Sequence, residues 1–121
     1  MTDFTDLDVK IEQKRFAAPL LAVISLKGEI NILTIPKLLP VIEDLFSEHI
    51  YCLIFDLSGL KMSGPTILDF FIKIEARTRE KAGRVVLVNP RDEIATAFEL
   101  TGLGKYIPIT DNIESAWNLI K

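Results

Sequence analysis

The chain is predicted to be an α/β protein with a mixed β-sheet of four to five strands and about four helices. Two features of the sequence support this class. Segments with apolar residues at strand spacing alternate with segments at helical spacing, and the middle strands are continuously apolar, as strands buried on both faces are. Strands that alternate with helices favour a mostly parallel or mixed sheet with right-handed crossovers. The predicted order is β-β-α-β-α-β-α-β-α.

The first half of the chain is predicted to form a hairpin followed by a helix. Residues 7–13 alternate apolar and polar side chains, and residues 20–28 form a second apolar run close behind them. Residues 34–49 carry apolar side chains three and four positions apart, which indicates an amphipathic helix. Thr34 is expected to cap this helix. Pro40 is expected to kink the helix or delay its start, because proline lacks a backbone N–H.

The second half of the chain continues the alternation of strand and helix. Residues 50–57 and 84–90 are apolar runs expected to form buried strands, and the helix 65–82 between them is expected to end at Gly83. A helix over 91–103 and a short strand over 106–110 precede a final helix capped by Asp111 or Asn112. The side chains expected to pack in the core from the second, third and last helices are Ile67, Phe70, Phe71, Ile74, Phe98, Leu100, Leu103 and Trp117.

Composition favours one globular domain over residues 1–121. Hydrophobic residues make up 49% of the chain and charged residues 26%, which argues against disorder. The net charge of −3 and the absence of a long basic run argue against a nucleic-acid partner. No segment approaches the ~18 apolar residues of a membrane span, and the N-terminus lacks the order of a signal peptide. The single cysteine, Cys52, fits a reducing compartment, so a cytoplasmic location is expected.

Catalytic and cofactor motifs are missing from the sequence. Neither glycine-rich phosphate-binding pattern occurs, and one histidine with one cysteine cannot supply a usual zinc site or a Cys/His nucleophile pair. His49, in the polar segment "SEHIY", is interpreted as an ordinary loop residue. The acidic pairs of the chain fall on predicted polar helix faces. We therefore expect neither an enzyme nor a bound cofactor or metal.

Four segments in order resemble the STAS domain family of bacterial anti-sigma factor antagonists. They are "LKGEINILTIPKLLPVIEDL", "LIFDLSGL", "AGRVVLVNP" and "AFELTGLGKYIPITDNIESAWNLI". The resemblance spans nearly the whole chain and implies a single STAS-like (SpoIIAA-like) domain whose helices pack mainly on one side of the sheet. It also implies a role in binding other proteins.

In its leading form, that role is antagonism of an anti-sigma factor. The chain would sequester a kinase-type anti-sigma factor of the GHKL class, and phosphorylation on serine or threonine would end the binding. A PP2C-like phosphatase would be a further partner. The alternative is an unphosphorylated STAS subunit of a larger assembly, such as a lipid-transport ATPase complex or a signalling scaffold.

The family's phosphorylation motif is degenerate in this chain. The family usually has Asp-Ser-Ser/Thr-Gly at the start of the second helix. An ungapped register places Gly64 at the aspartate, Pro65 and Thr66 at the two hydroxyl positions and Ile67 at the glycine. The resemblance therefore implies Thr66 as the phosphate acceptor. A gapped register, which matches Ser63 and Gly64 to the Ser-Gly pair, makes Ser63 the second candidate.

The residues around Thr66 also have a purely structural interpretation. Ser63 or Gly64 can cap the helix, and Pro65 suits its first position because the N–H that proline lacks would be unpaired there. Thr66 has no such role, which leaves it open to modification.

A partner-binding surface is predicted beside the candidate phosphosite. Leu68 and Ile72 project to the side of the second helix and, with Gly64, are interpreted as partner-binding residues. A wide core face that includes both side chains is the alternative. The loops after Gly28 and near Asn89 are the other surfaces to consider.

Overall fold

The computed structural model describes residues 6–61 and 65–120 of the chain. Five strands and four α-helices follow one another in the predicted order, with a short 3-10 helix before the last strand. The elements are β1 (Leu7–Arg15), β2 (Leu21–Glu29), α1 (Ile35–Ser47), β3 (Cys52–Lys61), α2 (Thr66–Glu80), β4 (Arg84–Val88), α3 (Asp92–Thr101), β5 (Ile109–Thr110) and α4 (Ile113–Ile120). The predicted α/β class is thereby confirmed.

The sheet is mixed, as predicted, and its strands follow the chain in the order β1-β2-β3-β4-β5. β1 runs antiparallel to β2, whereas the three remaining neighbouring pairs are parallel. A bulge interrupts the pairing of β1 with β2 between Ile11 and Gln13. Because one extra residue in a strand reverses the faces of all residues beyond it, the two ends of β1 present their side chains differently.

The two faces of the sheet carry separate hydrophobic clusters. Along β2, Ala22 and Ile24 pack in one cluster with the buried faces of α1, α2 and α3, while Leu21 and Val23 pack in the other with α4. β3 and β4 alternate in the same way, which explains why these strands are apolar at almost every position. Three helices therefore cover one face and α4 covers the other, which confirms helices mainly on one side.

Of the side-chain caps predicted for α1 and α4, the structure confirms the one for α4 and not the one for α1. Thr34 precedes α1, but its hydroxyl donates a 2.8 Å hydrogen bond to the Glu29 carbonyl and does not cap the helix. The side chain of Asn112 does cap α4, since its oxygen accepts the backbone N–H of Ser115 at 2.8 Å.

Pro40 lies inside α1 without delaying its start, so that part of the prediction is wrong. The helix begins at Ile35, five residues earlier. Proline removes one hydrogen bond from the helix, but α1 also buries Leu38, Ile42 and Leu45 completely. Burial of each such side chain stabilises the fold by roughly 1.5–3 kcal/mol, which outweighs the lost bond.

Two helices are followed, two residues after their last helical residue, by a non-glycine residue with positive φ. His49 (φ 62°) follows α1, and Ala82 (φ 58°) follows α2. The next residue, Gly83, donates its N–H to the Thr78 carbonyl at 2.7 Å and closes the helix end. Gly83 thus ends α2 as predicted, but it is needed for a different reason: a Cβ there would overlap the carbonyl oxygen of Tyr51.

The predicted core of α2 is confirmed, because Ile67, Phe70, Phe71 and Ile74 are all buried. In α3, Phe98 is buried as predicted, but Leu100 is 83% exposed. Two residues along a helix turn the side chain by about 200°, so both cannot face the sheet. Leu103 is buried after the end of α3, and Trp117 is partly buried against the α4 cluster.

Candidate functional site

A tightly bonded turn after β2 presents two apolar side chains to solvent. The Asn31 side chain accepts the backbone N–H groups of Leu33 and Thr34 at 2.9 and 3.1 Å. The buried Thr34 hydroxyl accepts the Asn31 N–H at 2.9 Å while donating to β2. These bonds hold the turn in place with Ile32 81% exposed and Leu33 63% exposed. The turn is therefore an apolar surface on a rigid support.

The second side of the site is the start of α2. Thr66 is the first helical residue. Pro65, which was predicted to be the first helical residue, occupies the cap position before it. Pro65 has helix-like dihedral angles (φ −71°, ψ −15°) and offers no side-chain capping bond. Thr66 is partly buried, and its hydroxyl forms no hydrogen bond within residues 6–61 and 65–120, unlike that of Thr34. No bond to another described residue therefore fixes the orientation of this hydroxyl.

These two elements enclose a shallow groove between the starts of α1 and α2. Thr66 lies in this groove together with Ile32 from the turn and Pro36 from the first turn of α1. The groove continues along the two helices past Leu39 to Arg77. We call it the α1–α2 groove. The end of the groove beside the first residues of α1 and α2 is mainly apolar, because proline and isoleucine side chains form most of its walls.

The charges along the α1–α2 groove are paired. Lys73 lies 2.9 Å from Asp69 on the same helix. Farther down, Arg77 of α2 bonds to Glu43 of α1 at 2.6 Å and stacks over the Phe46 ring at 4.8 Å. The hydrogen bond from Arg77 lowers the pKa of the Glu43 carboxyl, and the same contact raises the pKa of Arg77. The ion pair thus joins α1 to α2 below the apolar end.

A phosphate on Thr66 would lie between opposing influences. The start of a helix favours negative charge, through its free N–H groups and its dipole. Asp69, however, lies three residues on, and side chains at this spacing are about 5–6 Å apart at Cβ. The dianion would also lie beside the exposed Ile32. Modification would thus convert an apolar surface into a strongly negative one.

Leu68 and Ile72 lie on a different flank of α2 from Thr66. The groove is lined by α2 residues that include Thr66, Asp69 and Lys73. Around the helix axis, Leu68 lies about 160° and Ile72 about 120° from Thr66. Leu68 is partly buried and packs against the three-helix cluster, while Ile72 is 51% exposed. The structure therefore separates the predicted apolar pair: one member contributes to the core and the other faces solvent.

Two further predicted site residues, Ser63 and Gly64, lie outside the described residues. Sequence reasoning reached Ile32 and Leu33 only as part of the loop after Gly28. The Asn31 and Thr34 pair, three residues apart, is a sequence signal for a turn over Ile32 and Leu33, because such side chains commonly bond to nearby backbone in turns. The apolar residues held between them then have no core position to occupy.

The described part of the chain offers little to a metal ion or a nucleophilic reaction. Among these residues, no group of three or more His, Cys, Asp or Glu side chains is placed to hold a metal. Burial raises the pKa of the Cys52 thiol, which disfavours the reactive thiolate. No helix within residues 6–61 and 65–120 has the length and apolar character needed to cross a membrane.

Comparison with solved structures finds several chains of the same fold. An anti-sigma factor antagonist from Mycobacterium paratuberculosis is 24% identical with a TM-score of 0.70, covering 99% of this chain and 98% of that chain. A proposed anti-sigma factor antagonist from Thermotoga maritima is 20% identical with a TM-score of 0.74, covering 94% and 93%. The anti-sigma factor antagonist SpoIIAA, unphosphorylated, is 18% identical with a TM-score of 0.72, covering 93% and 94%. At these identities the likeness establishes the fold.

Comparison with other sequences identifies the family of the chain. No curated protein sequence matches the chain significantly. The family model of the STAS domain matches residues 11–116, which span all the strands and helices except the ends of β1 and α4. The chain therefore belongs to the STAS domain family.

Proposed function

We propose that this chain is a non-enzymatic regulator that binds a kinase-type anti-sigma factor and thereby frees the sigma factor. The observation that carries the proposal is the placement of Thr66. Thr66 lines the α1–α2 groove together with the exposed Ile32, so a candidate acceptor for phosphate adjoins an apolar docking surface. A site of this kind can bind a partner in one state and reject it in the other.

The unmodified groove suits an apolar partner surface. The turn bearing Ile32 and Leu33 is already ordered by its hydrogen bonds, so docking costs little conformational entropy. Phosphate on Thr66 adds roughly −1.5 to −2 charges, and burying them against Ile32 without a partner cation is unfavourable. Modification would therefore release the partner, and a PP2C-like phosphatase would restore binding.

Relatives of the same fold support the phosphorylation switch. SpoIIAA has been solved in an unphosphorylated form and in a phosphorylated form.

The alternative function, an unphosphorylated subunit of a larger assembly, is favoured by one local feature. Asp69, beside Thr66, places a standing negative charge where the incoming phosphate would lie.

The proposal is tested with a GHKL-type kinase that co-purifies with this chain when the chain is captured from its native cell. Incubation with this kinase and ATP should add one phosphate, which mass spectrometry should locate on Thr66 or, as the second candidate, on Ser63. Thr66→Val keeps the shape of the side chain but cannot be modified. This variant should therefore bind the kinase and stay bound when ATP is added, whereas the unchanged chain should dissociate.

The outcome separates the two functions. Tight kinase binding that ATP does not reverse, with no phosphate on either residue, would favour the unphosphorylated subunit. Absence of any binding would overturn the anti-sigma assignment. Phosphate on a residue outside 63–66 would show the ungapped register to be wrong.

A further inference from the structure

The face of the sheet opposite Thr66 contains a cavity next to α4. It measures about 330 Å³, at the lower end of the ~300–1,000 Å³ typical of small-molecule sites. Leu21, Val23 and Ile54 of the sheet form its floor, and Ile113 and Trp117 of α4 form its walls. These side chains give the cavity an apolar part with one large aromatic surface, which suits the hydrocarbon part of a ligand, while Gln13, Arg15 and Glu114 supply polar lining.

The bulge in β1 delivers a guanidinium to the mouth of this cavity. Before the bulge, Ile11 pairs with Ile24 and faces the three-helix side. After it, Arg15 pairs with Leu21 and faces the α4 side. Strict alternation along the strand would have placed Arg15 on the same face as Ile11, so the extra residue is what brings its charge to this cavity.

Arg15 is held in place but retains unused donors. Its guanidinium stacks 4.4 Å from the centre of the Trp117 ring, and one nitrogen donates to the Ala18 carbonyl at 3.5 Å. It forms no ion pair with a carboxylate in the described part of the chain. Stacking occupies only the face of the guanidinium plane, and the N–H groups point outward from its edge. Most of these donors remain available.

We propose that this cavity binds a small amphipathic monocarboxylate, such as a medium-chain fatty acid. The hydrocarbon would lie against Val23, Ile54 and Trp117, and the carboxylate would accept hydrogen bonds from Arg15. The ligand carries a single charge because Glu114 also lines the cavity, and its carboxylate would repel a second one. The site is independent of the proposed regulatory function, since it lies on the other face of the sheet.

The chain provides its own probe for this ligand. Trp117 is the only tryptophan, and it forms one wall of the cavity. Sodium octanoate should change its fluorescence saturably, and calorimetry should give the same affinity. The neutral analogue 1-octanol should bind at least about tenfold more weakly, because it cannot form the charge-assisted bonds to the guanidinium.

A matched pair of variants isolates Arg15. Arg15→Gln should weaken octanoate binding by about tenfold or more. Lys14→Gln removes the same charge from the adjacent residue, whose side chain points to the other face and pairs with Glu48. It should leave octanoate affinity within about twofold, because surface charges are screened by salt and solvent. Circular dichroism melting confirms that both variants are folded, and calorimetry avoids any direct effect of Arg15 on Trp117 emission.

Three results would overturn the proposal. They are the absence of saturable octanoate binding below its micelle concentration, equal binding of octanol and octanoate, and equal losses in the two variants. None of these results bears on Thr66, and octanoate binding to Thr66→Val should equal that to the unchanged chain. The two proposals can therefore fail separately.

Discussion

Replacing Ile32 and Leu33 together with serine should weaken the kinase complex while leaving the domain folded. Both side chains project from the turn after β2, with 81% and 63% of their surface exposed. Full burial of one such side chain contributes roughly 1.5–3 kcal/mol. If the partner covers both residues, their exposed parts supply about 2–4 kcal/mol. Ordering and desolvation at the interface reduce this gain, so we expect a loss of about 2 kcal/mol, or roughly thirtyfold in Kd.

Stability of the free domain should barely change. The bonds that hold the turn come from Asn31 and Thr34, which the double variant retains. Exposed substitutions away from such features usually alter the free energy of unfolding by no more than ~0.5 kcal/mol each. Isothermal titration calorimetry measures the affinity for the kinase, and thermal unfolding measures the stability.

Leu100 supplies the matched control. It is 83% exposed on α3, as accessible as Ile32, but it neither lines the α1–α2 groove nor belongs to the turn after β2. Leu100→Ser should therefore leave kinase affinity unchanged. Two results would refute the reasoning: full affinity in the Ile32/Leu33 variant, or an equal loss in the Leu100 variant. In either case the docking surface would have to lie elsewhere on the domain.

Two further predictions concern stability and can be checked by chemical denaturation. Leu68→Asp should lower the free energy of unfolding by about 1–3 kcal/mol, because this side chain packs on the core. Ile72→Asp should lower it by no more than ~0.5 kcal/mol, because Ile72 is exposed. Equal losses would contradict the different environments of the two residues. Gly83→Ala should lower the free energy of unfolding by several kcal/mol, because the new Cβ would overlap a backbone carbonyl oxygen just before β3. Gly104→Ala should leave it nearly unchanged, because its Cβ would meet only a side-chain atom at 3.8 Å. An unchanged stability in Gly83→Ala would contradict the packing.

Local spacing in the sequence was sufficient for the order of elements and for much of the core. Alternation at period two and apolar recurrence at three and four residues are properties of single strands and helices, so no knowledge of neighbours is needed. The buried face of α2, from Ile67 to Ile74, followed directly from this rule. The capping of α4 by Asn112 is equally local. Thr66 was reached through the resemblance of the chain to its family; it is the first residue of α2, and its role as a phosphate acceptor stays a prediction.

The exposure of individual apolar residues was decided only by tertiary structure. Leu68 and Leu100 both lie on amphipathic helices, yet one packs on the core and the other faces solvent, because neighbouring elements cover only part of each helix. Ile32 and Leu33 became a surface because Asn31 and Thr34 hold the turn with both side chains outward. Their exposure depends on bonds to the backbone around β2 and not on their own chemistry.

By itself, the sequence determined the α/β class, the strand and helix order, and the apolar faces that form the two halves of the core. Tertiary structure alone decided which face of the sheet receives Arg15. Periodicity assigns this residue to the same side as Ile11, but the bulge that forms when β1 pairs with β2 reverses the alternation. Strand register is set by contacts between distant segments, whereas spacing is set within one segment. A charge that the sequence pattern places over three helices therefore lies against Trp117 on the opposite face.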